Sequence, residues 1–185
     1  RAVSGEDPRQ GGSGNVGATN VGRVLGRRWG IACFALDVTK GLLPTLAAGL
    51  VLPGGLGASA PTAMHQAAWL SVGCGAIAGH VFSFWLRFRG GKGVATTVGG
   101  LFALLPPVML IGAVVWIVVF LAFRFVSLAS LCLGLSLPVS AYFIYDDPRA
   151  VGFCAFLALL ILVRHRANIQ RLLAGTENRA GPLKK

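Results

Sequence analysis

Residues 98–123 read VGGLFALLPPVMLIGAVVWIVVFLAF, a run without a single charge. It is long enough for one helix to cross a bilayer, which takes about 20 apolar residues, but Pro106 and Pro107 interrupt it. Proline lacks the backbone donor and clashes with the preceding turn. The run is therefore either one kinked span or two helices parted at the prolines, and its flanks decide between them. The stretch 87–93, RFRGGKG, and the tail from Arg164 are both basic. The positive-inside rule places both on the cytoplasmic face, which requires an even number of crossings between them. Three apolar runs lie there: 98–123, 125–145 and 150–163. Splitting the first restores even parity, with Arg124 inside and Asp146–Asp147 outside. It leaves a very short helix ahead of Pro106, buried by its neighbours or tilted. We expect the split; a single kinked span would put the tail outside.

Working outward, Trp29–Leu52 is apolar apart from Asp37 and Lys40, residues 53–61 (PGGLGASAP) are turn formers, and Thr62–Leu86 is a second run. The last run, Ala150–Val163, makes only about 21 Å of helix against a hydrocarbon core of about 30 Å. It must continue into the polar tail or sit in a thinned bilayer. The expected fold class is all-α: a polytopic integral membrane protein with about six transmembrane helices. Residues 1–185 form a single domain, with polar basic segments 1–28, 87–97 and 164–185 on one face.

Composition agrees. Of 185 residues only 12% are charged, against about 25% in soluble domains, and mean hydropathy is +0.71. The net charge of +11 would point to nucleic acid in a soluble protein. Here the cations gather in short stretches between apolar runs, so no nucleic-acid partner is expected. Cys33, Cys74, Cys132 and Cys154 all lie in apolar runs without metal-ligand spacing or a C-x-x-C pair. No disulfide, metal or cofactor is expected. The chain begins with Arg1 and shows no signal peptide.

The three polar segments carry the candidate chemistry. Residues 12–23 read GSGNVGATNVGR. Gly12, Gly14 and Gly17 let the backbone approach a ligand, successive N–H groups can line an anion-binding concavity, and Ser13, Asn15, Thr19 and Asn20 add neutral hydrogen bonds. Arg23 supplies a fixed charge with two-pronged phosphate geometry. A flexible linker is the bland alternative, but it explains the Asn and Thr positions poorly. In residues 87–97, Gly90, Gly91 and Gly93 surround Lys92, with Thr96 and Thr97 at an expected helix start, where phosphate is favoured. This is not a nucleotide P-loop: Leu86 stands where G-x-x-x-x-G-K needs glycine, and Gly93 follows the lysine. In the third segment, a helix over Val163–Leu173 would put His165 and Asn168 on one face, with Glu177 most simply a partner for a nearby arginine. A basic interfacial helix end explains the arginines there, but not His165 and Asn168.

Polar residues within the spans are costly in lipid. Asp37 and Lys40, three apart, are suited to an internal pair, with direct site contact the alternative. His80 ends the second run and is a candidate substrate contact, while His65 suits the opposite boundary. Gly75 and Gly79 form G-x-x-x-G, which favours close helix packing.

GSGNVGATNVGR, GHVFSFWLRFRGGKGVATT and RHRANIQRLLAGTE, together with LDVTKG at 36–41, resemble in order and spacing the bacterial acyl-phosphate:glycerol-3-phosphate acyltransferase family (the PlsY type). The resemblance covers nearly the whole chain. It implies transfer of a fatty acyl group from acyl phosphate to the 1-hydroxyl of glycerol 3-phosphate, giving lysophosphatidic acid and phosphate for phospholipid synthesis. It further implies a small bacterial inner-membrane protein of seven helices, with the motif loops cytoplasmic. The count of six leaves one helix missing ahead of the first motif. Ser83 and Ala167 depart from the family's usual Pro and Glu. Carried onto this chain, the resemblance implies catalytic roles for Ser13, Arg23, Lys92, His165 and Asn168. Substrate-binding roles fall to Gly12, Gly14, Asn15, Thr19, Asn20, Lys40, His80, Gly90, Gly91, Gly93 and Thr96, and structural roles to Asp37 and Glu177. Partners are the two phosphorylated substrates and membrane lipids; oligomeric state stays open.

Other membrane glycerolipid acyltransferases use a histidine with an aspartate five residues on. Here Leu70, Trp85 and Gln170 follow His65, His80 and His165 at that distance. Acyl phosphate has a good leaving group, so a substrate phosphate oxygen suffices as proton acceptor, with His165 as the rival base. A transporter of phosphorylated metabolites would also use arginines and broken helices. It would need polar groups on both faces, whereas the loop at 53–61 carries no charge. A non-catalytic scaffold leaves Asn15, Thr19, Lys92 and Asn168 without a purpose.

Overall fold

A computed structural model describes residues 5–51 and 63–180, with side chains from 67 in the second stretch. The uncharged loop at 53–61 and the His65 side chain fall outside the described residues. The regular elements among the described residues are all helical: α1 (Ala18–Val24), α2 (Arg27–Val51), α3 (Ala63–Val81), a 3-10 turn at Phe84–Leu86, α4 (Val94–Leu104), α5 (Pro106–Phe123), α6 (Val126–Tyr145), α7 (Pro148–Arg164) and α8 (Arg166–Leu173). They fall into two compact units, α1–α4 and α5–α8.

Among the described residues, four stretches are long and apolar enough to cross a membrane: α2, α3 with the turn after it, α5 and α6. α7 and α8 pass the same test jointly across a 61° bend. α5 has a mean hydropathy of 2.5, yet only 17% of its window is buried. Leu110, Val114, Val118 and Leu121 point outward. A helix this apolar and this exposed has hydrocarbon for its solvent.

The run at 98–123 is divided as its prolines require. α4 ends at Leu104 and α5 starts with Pro106 and Pro107 in its first turn. Leu105 between them is non-helical, at φ −138° and ψ 63°, because a residue before proline is pushed out of the α region, while proline suits a helix's first positions. At 11 residues, α4 is about 16 Å long, well short of a bilayer core. Thr96, Thr97, Gly99, Gly100 and Leu101 are all buried, so neighbouring helices cover it.

α2 organises the first unit through one stripe. Its buried residues are Asp37, Gly41, Thr45 and Gly49, four apart and hence on one face. Gly41 meets the α4 backbone at Thr96, and Gly99 of α4 meets the α2 backbone at Val38; a Cβ at either would overlap a carbonyl oxygen. Gly49 lies under the Trp69 ring, and the Trp69 indole donates to the Thr45 carbonyl at 2.7 Å. Earlier on the helix, Gly30 packs against Gly22 of α1. The G-x-x-x-G expectation finds no partner among the described residues: an added Cβ at Gly75 or Gly79 meets nothing within 4 Å. The pattern sits on an outward face of α3, and backbone contact is made by glycines on other helices.

In the second unit α6 is central, packed against both α5 and α7. Leu133 and Leu137 of α6, Val108 and Met109 of α5, and Leu157 and Ile161 of α7 form its core. Trp116 of α5 donates to Ser130 Oγ of α6 at 3.2 Å, which satisfies the indole N–H among apolar neighbours. Asp147 caps α7 by accepting from the Arg149 N–H at 2.9 Å. The single helix expected over Val163–Leu173 is corrected. His165 has left the helical region (φ −99°, ψ 8°) and separates α7 from α8, so the short last run does continue into the polar tail, but at an angle.

A Gly41→Ala chain should unfold earlier on heating in detergent, by the equivalent of about 1–3 kcal/mol of overpacking. Gly75→Ala should leave the midpoint unchanged or slightly higher, because alanine favours helix where space is open.

Candidate active site

In the first unit, one side chain ties together several points of the residue 5–17 loop. Asn20, only 2% exposed, donates through Nδ2 to the carbonyls of Pro8 (2.7 Å), Gly11 (3.1 Å) and Asn15 (2.8 Å). Its Oδ1 accepts from the Ser13 N–H at 2.7 Å. Asn15 Oδ1 accepts from the Gly17 N–H at 2.8 Å, just ahead of α1. The polar atoms of Asn20, expected to bind substrate, are thus committed to the loop backbone, as is Asn15 Oδ1. Gly12 has φ +59°, and a Cβ there would overlap Asn20 Oδ1, so glycine is required. Gly12, Ser13 and Gly14 are exposed at the loop tip, and Thr19 and Arg23 are exposed on α1.

α2 lies beneath this loop. Cys33 Sγ is 3.8 Å from the Val16 carbonyl and 3.7 Å from Asp37 Oδ2. Asp37, 4% exposed, pairs with Lys40 Nζ at 2.8 Å, the internal pair expected from their spacing. His80 Nδ1 lies 3.5 Å from the same Asp37 oxygen. Beyond His80 runs the second glycine loop, where the Gly90 N–H donates to the Val81 carbonyl at 3.1 Å. Gly90, Gly91 and Gly93 are buried and Lys92 is half-buried. α4 follows from Val94, as expected. The Thr96 and Thr97 hydroxyls are buried without a hydrogen-bond partner. One unit therefore gathers two glycine-rich loops, Arg23, Lys92 and the Asp37–Lys40–His80 cluster around α2.

In the second unit, His165 and Asn168 are both buried. His165 Nδ1 lies 2.8 Å from the Ile161 carbonyl. With Nδ1 donating there, Nε2 is the acceptor nitrogen of the neutral ring. Glu177 folds back to join two helices. Its Oε1 accepts from Asn168 Nδ2 at 2.7 Å and from Ser127 Oγ of α6 at 3.0 Å. Its Oε2 accepts from Arg171 Nε at 2.7 Å. Burial alone would raise the Glu177 carboxyl, but the hydrogen bonds from Asn168, Arg171 and Ser127 outweigh it and hold the group below its ordinary value. The structural role expected for Glu177 matches this geometry. Sequence reasoning missed Ser127: a lone serine in an apolar run carries no signal, and its partner lies 50 residues on. Beside this clasp, the Ala180 N–H donates to the Arg124 carbonyl at 2.8 Å, and Arg124 Nε donates to the Ala180 carbonyl at 3.2 Å.

The described residues hold no cluster of three or more His, Cys, Asp or Glu able to bind a metal. What the first unit presents is cationic and amide-rich: fixed charges, glycine-loop N–H groups and neutral hydrogen-bonding side chains, in a membrane-embedded frame. That combination suits an anionic, phosphorylated substrate met at a membrane.

Comparisons with known proteins give the class. Residues 1–175 match the family model described as glycerol-3-phosphate acyltransferase. A glycerol-3-phosphate acyltransferase of Syntrophotalea carbinolica is 39% identical over 180 residues, 97% of this chain and 86% of the relative. That of Pseudomonas paraeruginosa is 44% identical over 173 residues, 93% and 84% of the two chains. Among solved structures, PlsY (YgiH), an integral membrane glycerol 3-phosphate acyltransferase, matches in its glycerol 3-phosphate form with a TM-score of 0.85. It is 38% identical, covering 97% of this chain and 85% of the other. Its lysophosphatidic acid form matches with a TM-score of 0.80, covering 92% and 82%. The chain is an integral membrane acyltransferase. It belongs to the glycerol-3-phosphate acyltransferase family, of the PlsY type.

Because the folded-state carboxyl of Glu177 sits below its ordinary value, its stabilisation is present above that value and is lost as pH falls through the lowered one. Glu177→Gln should therefore cost about 1–3 kcal/mol at neutral pH. In thermal unfolding across a pH series, the gap to the parent should narrow as pH falls through the ordinary glutamate range and close once it has passed the lowered value.

Proposed function

We propose that this enzyme takes its acyl group from acyl phosphate and places it on the 1-hydroxyl of glycerol 3-phosphate, at the cytoplasmic face of a bacterial inner membrane. The observation that carries this reading is the match, over 97% of the chain, to a PlsY structure in its glycerol 3-phosphate form. The geometry of the motif loops supports it. In the first unit, Ser13, Arg23 and Lys92 hold glycerol 3-phosphate, helped by backbone N–H groups of Gly90, Gly91 and Gly93 and by the loop tip at Gly12 and Gly14. Thr19, Lys40 and Thr96 are further contacts. Asn15 and Asn20 serve by keeping the first loop in shape. In the second unit, His165 and Asn168 orient the substrates or the reacting carbonyl, with Asn168 fixed by Glu177. The chain crosses the membrane six times as one domain, with α4 counted as a short, covered crossing and segments 1–28, 87–97 and 164–185 cytoplasmic. Membrane lipid surrounds it and supplies the medium for the acyl chain.

The chemical step needs little activation. The glycerol hydroxyl oxygen attacks the acyl carbonyl carbon, the bond from that carbon to the phosphate oxygen breaks, and phosphate leaves. The hydroxyl proton passes to a substrate phosphate oxygen and departs with the products, which are lysophosphatidic acid and inorganic phosphate. Cations and N–H groups aimed at the phosphate and the developing oxyanion supply the stabilisation. His165 Nε2 is the competing proton acceptor.

Purified protein given palmitoyl phosphate and glycerol 3-phosphate should release phosphate and form lysophosphatidic acid in equal amounts, and acyl-CoA should not replace the donor. Ser13→Ala and Lys92→Ala should each lower turnover by roughly 100-fold or more. Turnover with acyl-CoA alone would overturn the donor assignment. Glycerol 3-phosphate flux into proteoliposomes without any acyl transfer would favour transport instead. His165→Gln should change substrate affinity and spare turnover; a collapse of kcat at unchanged KM would make His165 the base.

A further inference from the structure

The loop that carries Lys92 packs on the last turn of α3, against His80 and Val81. His80 stands in the last turn of α3 with its side chain 9% exposed. A Cβ added at Gly91 would overlap Nε2 of its ring, and one added at Gly90 would overlap its carbonyl oxygen. Ring and backbone of the same residue therefore form the seat for two successive glycines, and Lys92 is the next residue. On the other side of the ring, Nδ1 lies 3.5 Å from Asp37 Oδ1. That carboxylate is buried on the α2 stripe, one turn from Gly41, which seats α4. Lys40 also reaches Asp37 Oδ1, at 2.8 Å, from a side chain that is 57% exposed. Both ends of the Lys92 loop are thus referred to α2: one through His80 and Asp37, the other through α4 and Gly41. A buried carboxylate within a membrane helix is expensive, and Lys40 alone suffices to balance its charge. The contact with His80 gives it a second use.

We propose that Asp37 and His80 form a positioning pair: Asp37 fixes the imidazole, the imidazole fixes Gly91, and Lys92 is thereby aimed at the phosphate of glycerol 3-phosphate. His80 acts through the loop and does not itself touch substrate, which refines its expected place among the substrate contacts. The proposal rests on the reading of Lys92 as a phosphate clamp.

The test measures equilibrium binding of radiolabelled glycerol 3-phosphate to the full chain in detergent, with thermal unfolding of each variant alongside. His80→Ala and Asp37→Asn should each weaken binding about tenfold, the scale of one impaired charge-assisted hydrogen bond. The KM for glycerol 3-phosphate should rise in step, with that for acyl phosphate unchanged. In a Lys92→Ala background, His80→Ala should cost nothing further. His80→Asn keeps a donor near the Nδ1 position but withdraws the ring from Gly91. It should bind as weakly as His80→Ala, and it carries the test should His80→Ala not fold. Additive losses in the double variant would overturn the proposal by making His80 a direct contact, and so would unchanged binding in His80→Asn. Unchanged binding in Lys92→Ala alone would instead remove the clamp reading, and the positioning role with it.

Discussion

The first unit depends on the direct approach of two backbones, α2 and α4, across Gly41 and Gly99. Lipid gives helices no hydrophobic reason to associate, so close packing and satisfied polar groups must do it. Where the two glycines meet the opposing chain, no side chain intervenes, and a Cβ on either would strike a carbonyl oxygen. This contact lets an 11-residue helix stay inside the protein although it is too short to reach across the bilayer by itself. It also sets where α4 begins, and the Lys92 loop ends where α4 begins. The same stripe of α2 carries Cys33 against the Val16 carbonyl and Asp37 against His80. The glycine loops are thus located by one rigid element rather than by each other.

Much of this was legible in the chain. The prolines at 106 and 107 and the placement of basic and acidic flanks predicted a helix break, and the helices do part at Leu105. Asp37 and Lys40 could be read as a pair because helical spacing of three brings them together, and they lie 2.8 Å apart. Glu177 read as an arginine partner, and Arg171 takes that place. These are local inferences, governed by proline sterics, loop charge or helix periodicity.

What the chain concealed is non-local. G-x-x-x-G at Gly75–Gly79 looked like a packing motif, yet periodicity cannot say which face of a helix meets a neighbour, and this one meets none among the described residues. Asn20 looked like a ligand because Asn suits phosphate and sugar hydroxyls. Its burial under a loop whose Pro8 carbonyl lies twelve residues earlier turned its amide inward. The bend at His165 went unread because nothing in a run of good helix formers announces it, and the Glu177 that holds Asn168 just beyond it lies in the tail. Ser127 had no signal at all.

The Glu177 clasp has a consequence for the order of events during synthesis. Asn168 takes its bond from a carboxylate nine positions further along the chain, and that carboxylate is anchored to Ser127 on a helix made long before. A ribosome that has just finished α8 has produced Asn168 without its anchor, whatever the state of the helices already in the membrane. The clasp can therefore close only once Glu177 has been made, by the tail folding back onto α6 and α8. A chain halted before Glu177 holds Asn168 without the carboxylate that fixes it.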